Sequence, residues 1–245
     1  MARQRVPEGP APDPAVQKLR VHYAKRGRLR FSSTRDFQRA LERALRRAEV
    51  PMAFSAGFHP HPRISYANAA PTGTASEAEY FELQLRERRD PAALRADLDG
   101  ALPDGLDIIA VAEALPGALA DRLAASVWRL EFADIDTETL QNAVGAFLDL
   151  DRAEVTRMMK QGPRTFDVRE AVLSAATDDK GLRVVIQHMT PLVRPDDLLQ
   201  ALSTYAGLNP TRPPLVTRLS QGPLAGDGTV GDPLTDSRST DPAID

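Results

Sequence analysis

The sequence predicts an α+β fold: two tandem ferredoxin-like, split β-α-β modules flanked by disordered N- and C-terminal tails. Three observations carry this expectation. Short alternating segments recur on both sides of longer segments with helical apolar spacing. The element order β-α-β-β-α-β can be read twice along 245 residues, enough chain for two small cores. Both ends are poor in apolar residues and rich in Pro, Gly and charge.

The expected boundaries are 1–16 for the first tail, 17–114 for the first module, 125–220 for the second and 221–245 for the last tail. In the first module Leu19, Val21 and Tyr23 alternate with Arg20 and His22, a strand pattern. Leu29 and Phe31 alternate with Arg28 and Arg30 beyond a Lys25-Arg26-Gly27 turn and predict a second strand segment. Ser33 or Thr34 is placed to cap a helix with Asp36 in its first turn. That helix runs to about Glu49, before Pro51. Phe37, Leu41, Ala44, Leu45 and Ala48 form its apolar stripe. Strands follow at 63–68 and 79–85, then a helix opened by Pro91 and a strand at 106–112.

The second module starts with Trp128, Leu130 and Phe132 in alternation. Thr137 is expected to cap a helix reaching about Asp149, with a strand at 154–159. Segments 166–174 and 182–188 form a hairpin around Asp178-Asp179-Lys180-Gly181. Pro195 opens the last helix, and 215–219 is the last strand.

The chain has no cysteine, so disulfides, thiolate zinc sites and iron–sulfur ligation are excluded within it. The first 16 residues lack the apolar centre of a signal peptide and no long apolar run is present. No membrane association and a cytoplasmic location are the expectation.

Net charge is only −3, but its distribution is uneven. Between Lys18 and Arg47 stand eleven basic residues and two acidic ones, a net of +9, leaving −12 for the remainder. Such asymmetry calls for an anionic partner. Arginine binds phosphate bidentately and stacks on bases. The expected RNA-binding set is Arg20, Lys25, Arg26, Arg28, Arg30, Arg35, Arg39, Arg43, Arg46 and Arg47, joined by Phe58, His59, His61 and Arg63 from a rigid Gly57–Pro62 loop. Among the aromatics near this surface, Tyr23, Phe31, Tyr66 and Tyr80 have strand periodicity. Phe31 is assigned to the core and Phe58 to the surface. A solvated helix face, with arginine stems covering apolar surface, is the plain alternative.

His59 and His61 have the spacing of two metal ligands, but no third ligand is apparent and no metal site is assigned. Either could serve as a general base in RNA cleavage, since imidazole titrates near neutrality. The Pro71–Glu77 segment lacks the lysine and spacing of a nucleotide-binding loop.

The run Lys25-Arg26-Gly27-Arg28-Leu29-Arg30-Phe31, Ser33 through Asp36 to Arg39, Glu42 through Ala48, Pro51, Ser55, Gly57-Phe58, Pro60-His61-Pro62, Ile64-Ser65 and Ser76, Glu77, Glu79 and Tyr80 resembles the radical-SAM-associated domain of unknown function, in the free-standing form found in actinobacteria. The resemblance covers about 18–219, densely in the first module and thinly in the second. It implies partnership with a radical SAM enzyme that modifies RNA or the translation machinery; the RNA expected to be held for it is tRNA or rRNA. The family typically has a histidine where this chain has Thr34, so no catalytic role transfers to that position. Without a Cys-x-x-x-Cys-x-x-Cys motif the chain holds no radical SAM cluster itself, and no cofactor is expected in it. The expectation is a non-catalytic RNA-binding accessory protein. A metal-independent endoribonuclease similar to CRISPR repeat-processing proteins, and a protein–protein adaptor, are the alternatives.

Overall fold

The computed structural model describes residues 13–235. The expected tail segments 1–12 and 236–245 lie outside the described residues. The architecture is α+β, as the patterning predicts. The described residues divide into two compact units, one of residues 13–72 and 78–120, the other of 73–77 and 121–235.

The first unit contains β1 (Gln17–Lys25), α1 (Thr34–Arg47), β2 (Ile64–Ala67), most of β3 (Ala75–Leu85), α2 (Pro91–Ala101) and β4 (Ile108–Glu113). Its strands are ordered β4-β1-β3, with β2 antiparallel on β3. Leu19, Val21 and Tyr23 of β1, Phe81 and Leu83 of β3, Phe37 and Leu41 of α1 and Leu94 and Leu98 of α2 form one buried core. Tyr23 and Phe37 stack with ring centroids 4.2 Å apart, a contribution beyond simple area burial.

Helix α1 begins where the sequence places it. The Ser33 hydroxyl accepts from the Asp36 amide at 3.2 Å, and the Asp36 carboxylate accepts from the Ser33 amide at 3.1 Å. This reciprocal box satisfies two otherwise orphaned donors. The Ser33 hydroxyl also donates to Asp36 at 2.7 Å, and these bonds hold the Asp36 carboxyl below its ordinary pKa.

The expected strand over Arg28–Ser32 is instead a 3₁₀ helix, Gly27–Phe31. Gly27 takes φ of +53° and turns the chain out of β1. Local bonds from Leu29 N to Arg26 O and from Ser32 N to Leu29 O then satisfy the backbone. Five residues of alternation cannot separate the two conformations. Leu29 packs on the core, while Phe31, expected inside, is 58% exposed.

The second unit contains β5 (Ala125–Glu131), α3 (Thr137–Leu148), β6 (Glu154–Met159), β7 (Gly162–Asp167), β8 (Val172–Asp178), β9 (Gly181–Gln187), α4 (Pro195–Ala206) and β10 (Leu215–Gly222). Strands β10-β5-β9-β8 are consecutive neighbours, and each adjoining pair is antiparallel. Residues 75 and 76 join this unit by pairing in parallel with Thr217 and Arg218. Asp136, rather than Thr137, caps α3 by accepting from Thr139 N at 2.8 Å.

The single strand expected at 166–174 is two strands. A turn at Val168–Ala171 separates β7, which pairs with β6, from β8, which pairs with β9. The Arg169 guanidinium fastens the turn to the Leu148 and Val172 carbonyls. The second half therefore carries an additional β6-β7 hairpin within its element order.

The C-terminal tail expected from residue 221 is ordered through residue 235. Val230 and Leu234 are buried, and Val230 packs on Ala125, Val127 and Val185. Gly222 makes this possible, because a Cβ there would stand 1.8 Å from the Gly231 carbonyl oxygen.

His188 is held within this unit. Its Nδ1 lies 2.6 Å from the Leu123 carbonyl and its Nε2 2.7 Å from the Ser126 hydroxyl. A carbonyl only accepts, so Nδ1 carries the proton and Nε2 accepts from Ser126. Burial lowers the His188 pKa, outweighing the bond to Leu123. The stability contributed by neutral His188 is thus complete above its unfolded pKa of about 6.5 and declines as pH falls through the lower folded value. Denaturant titrations at pH 7.5 and 5.5 check this: the wild-type protein is expected to lose more stability between them than His188→Gln, and an equal loss would refute the assignment.

Candidate nucleic-acid interface

Helical geometry sorts the basic residues of the first unit before any partner is considered. At 100° per residue, Arg35, Arg39, Arg43 and Arg46 fall within an arc of roughly 80°, opposite the stripe of Phe37, Leu41, Ala44 and Leu45. All four arginines are exposed and the four apolar residues are buried. None of the four arginines forms an ion pair among the described residues. Arg28 is likewise exposed in the preceding 3₁₀ helix. The structure thus brings five of the expected residues together as exposed cations on and just before one helix.

Other expected members are engaged. Arg26 pairs with Asp107 at 2.7 Å, Arg47 donates to the Ala101 carbonyl at 2.9 Å, and Arg63 donates to Gln84 at 3.2 Å. Arg30 stacks 4.6 Å over the Phe31 ring. These four keep part of their charge near the surface.

Arg20 and Lys25 must be withdrawn from the RNA-binding set. The Arg20 side chain is fully buried, with Nε 3.0 Å from Glu82 and a terminal nitrogen donating to Leu115 and Gly117 carbonyls at 3.0 and 2.9 Å. Lys25 is 5% exposed and points its ammonium at the Ala70 and Pro71 carbonyls, 3.3 and 3.2 Å away. Both positions are buried in β1, while Lys18 of the same strand keeps a 39% exposed side chain. Lys25 borders a small cavity of about 20 Å³, about enough for one water. The Tyr66 phenol at its edge is pushed up to about 12 by burial and by the Glu42 charge, and stays protonated.

The Gly57–Pro62 loop is tied at its base. The Ser55 amide donates to the His61 carbonyl at 2.9 Å, and the His61 amide donates to the Ser55 hydroxyl at 3.0 Å. Gly57 has φ of +132°, a conformation that disfavours a side chain. The tip displays Phe58, 62% exposed, with His59 and His61 also exposed. Neither histidine lines the small cavity or the larger groove described next. Among the described residues no cluster of three or more His, Asp or Glu is arranged to hold a metal ion. Among the described residues no helix is long and apolar enough to cross a membrane.

Two features were not singled out from sequence. Phe54 is 43% exposed. It lines a groove of about 350 Å³ beside the C-terminal half of α1, together with Leu45, Val50, Met52 and Pro62 and with Glu42, Arg46 and Arg86. No short pattern marks Phe54, which forms an isolated antiparallel bridge with Pro62 across the base of the loop.

The first unit of this α+β protein thus presents an exposed arginine stripe, a loop with an exposed aromatic tip and a groove bordered by Arg46 and Arg86. Residues 18–195 match a family described as uncharacterized proteins conserved in bacteria (DUF2344), and the chain belongs to that family. Comparison with curated proteins finds no match.

Proposed function

We propose that this chain is an RNA-binding accessory protein, built of two ferredoxin-like modules, that presents tRNA or rRNA to a separate radical SAM enzyme. The observation that carries the RNA reading is the stripe of four exposed arginines on α1, which form no ion pair within 4 Å among the described residues. Retaining like charges at such spacing is unfavourable without an anionic partner, since neighbours at i and i+4 repel. Phosphates accept guanidinium hydrogen bonds in pairs, and their counterions are released on binding. Within each unit, the strand order supports the ferredoxin-like reading. The radical SAM partner rests on the sequence resemblance alone.

The exposed loop histidines border neither cavity, so the RNA-binding reading is preferred to the endoribonuclease. Filter binding of the purified chain to total bacterial RNA across a salt series tests it. Four phosphate contacts give an expected slope of about −3 in log affinity against log salt, at roughly −0.7 to −0.9 per contact. A slope near zero would remove the polyanion reading. A radical SAM enzyme should copurify from the native cell; its absence would leave an RNA-binding protein without the accessory role.

A further inference from the structure

We propose that the groove beside the C-terminal half of α1 seats one unpaired base of a single-stranded RNA segment, stacked on Phe54. The inference rests on the RNA reading and names the kind of RNA. The groove's volume, about 350 Å³, falls in the range of small-molecule sites. Val50, Met52, Phe54 and Pro62 give it apolar walls suited to the flat face of a base. Arg46 belongs both to the arginine stripe and to the groove lining, so a backbone following the stripe is led to this recess. Arg86, exposed and 3.6 Å from Glu87, supplies a second cation for a flanking phosphate.

Glu42 also lines the groove. A carboxylate repels phosphate but accepts hydrogen bonds from the N–H groups that every base carries on its pairing edge. Backbone outside and base inside is the orientation these charges favour. A duplex buries its base faces and pairing edges and has none to offer. Phe31 and Phe58, 58% and 62% exposed in the segments before and after α1, supply further rings for unstacked bases.

The test uses the full chain with a mixed-sequence RNA dodecamer, single-stranded or annealed to its complement, at one ionic strength. The single strand is expected to bind at least tenfold more tightly. Phe54→Ala should weaken single-strand binding about tenfold, as loss of a stacking ring does. Duplex affinity and the denaturant midpoint should stay unchanged, and Phe54→Tyr should restore binding. Equal affinity for duplex and single strand, or an unaffected Phe54→Ala, overturns the groove proposal while steep salt dependence keeps the broader RNA reading. Failure of both RNAs to bind overturns the two together. A photo-crosslinking p-benzoylphenylalanine at position 54 should capture the dodecamer; capture of polypeptide alone, with the dodecamer present, would assign the groove to a protein partner.

Discussion

Arg39→Glu combined with Arg43→Glu is expected to weaken RNA binding about a hundredfold at 0.1 M salt and to flatten the salt slope by about 1.5. Both side chains lie in the middle of the exposed stripe and make no ion pair among the described residues. Removing two phosphate contacts at roughly 0.7 log units each gives about 25-fold at this salt concentration, and the introduced carboxylates add repulsion. Because these positions carry no packing, stability should change by no more than about 0.5 kcal/mol. Arg39→Gln with Arg43→Gln should give the smaller loss without the repulsion. The informative contrast is Arg20→Gln, which should lower stability and leave the salt slope alone. Competition binding and urea titration on the same samples separate the two effects. Unchanged affinity in the double Glu variant would mean that the stripe is only a solvated helix face.

Glu82→Leu is expected to cost the first unit about 3–5 kcal/mol, the range for breaking a buried ion pair from one side. Glu82 lies 2.7 Å from Lys18 and 3.0 Å from Arg20. The Lys18 side chain is 39% exposed and can turn to water, so little of the loss comes from it. Arg20 has no such escape, since its side chain is fully buried. One of its terminal nitrogens already lacks a partner. Combining Glu82→Leu with Arg20→Met removes the stranded charge and the unmet donor together. The double variant is expected to recover most of the loss, because apolar replacement of a whole buried pair is often neutral. Circular dichroism through a urea titration reads both, and a single variant within 1 kcal/mol of wild type would show that the pair is solvated.

Local order is where the sequence and the structure agree most closely. The Ser33 cap, the apolar stripe of α1 and the Asp178–Gly181 turn are set by interactions spanning a few residues, so a window of that length reveals them. The concentration of cations on α1 was readable for the same reason: one helix imposes one periodicity on core and surface alike.

Residue type and spacing alone did not decide where each residue would be buried. Arg20 and Arg39 are the same residue in segments of equally clear periodicity, yet one is enclosed by Glu82, 62 positions away, and the other stands in solvent. Phe31 and Phe54 are exposed, while the Gly-rich stretch after Gly222 packs on the sheet through Val230 and Leu224. The turn that splits 166–174 depends on an arginine reaching a carbonyl 21 positions earlier. Hydrogen-bonding periods act along the chain and are written into it. Burial, pairing between distant segments and the groove beside α1 arise only when separate segments meet, and that meeting is what the tertiary structure decided.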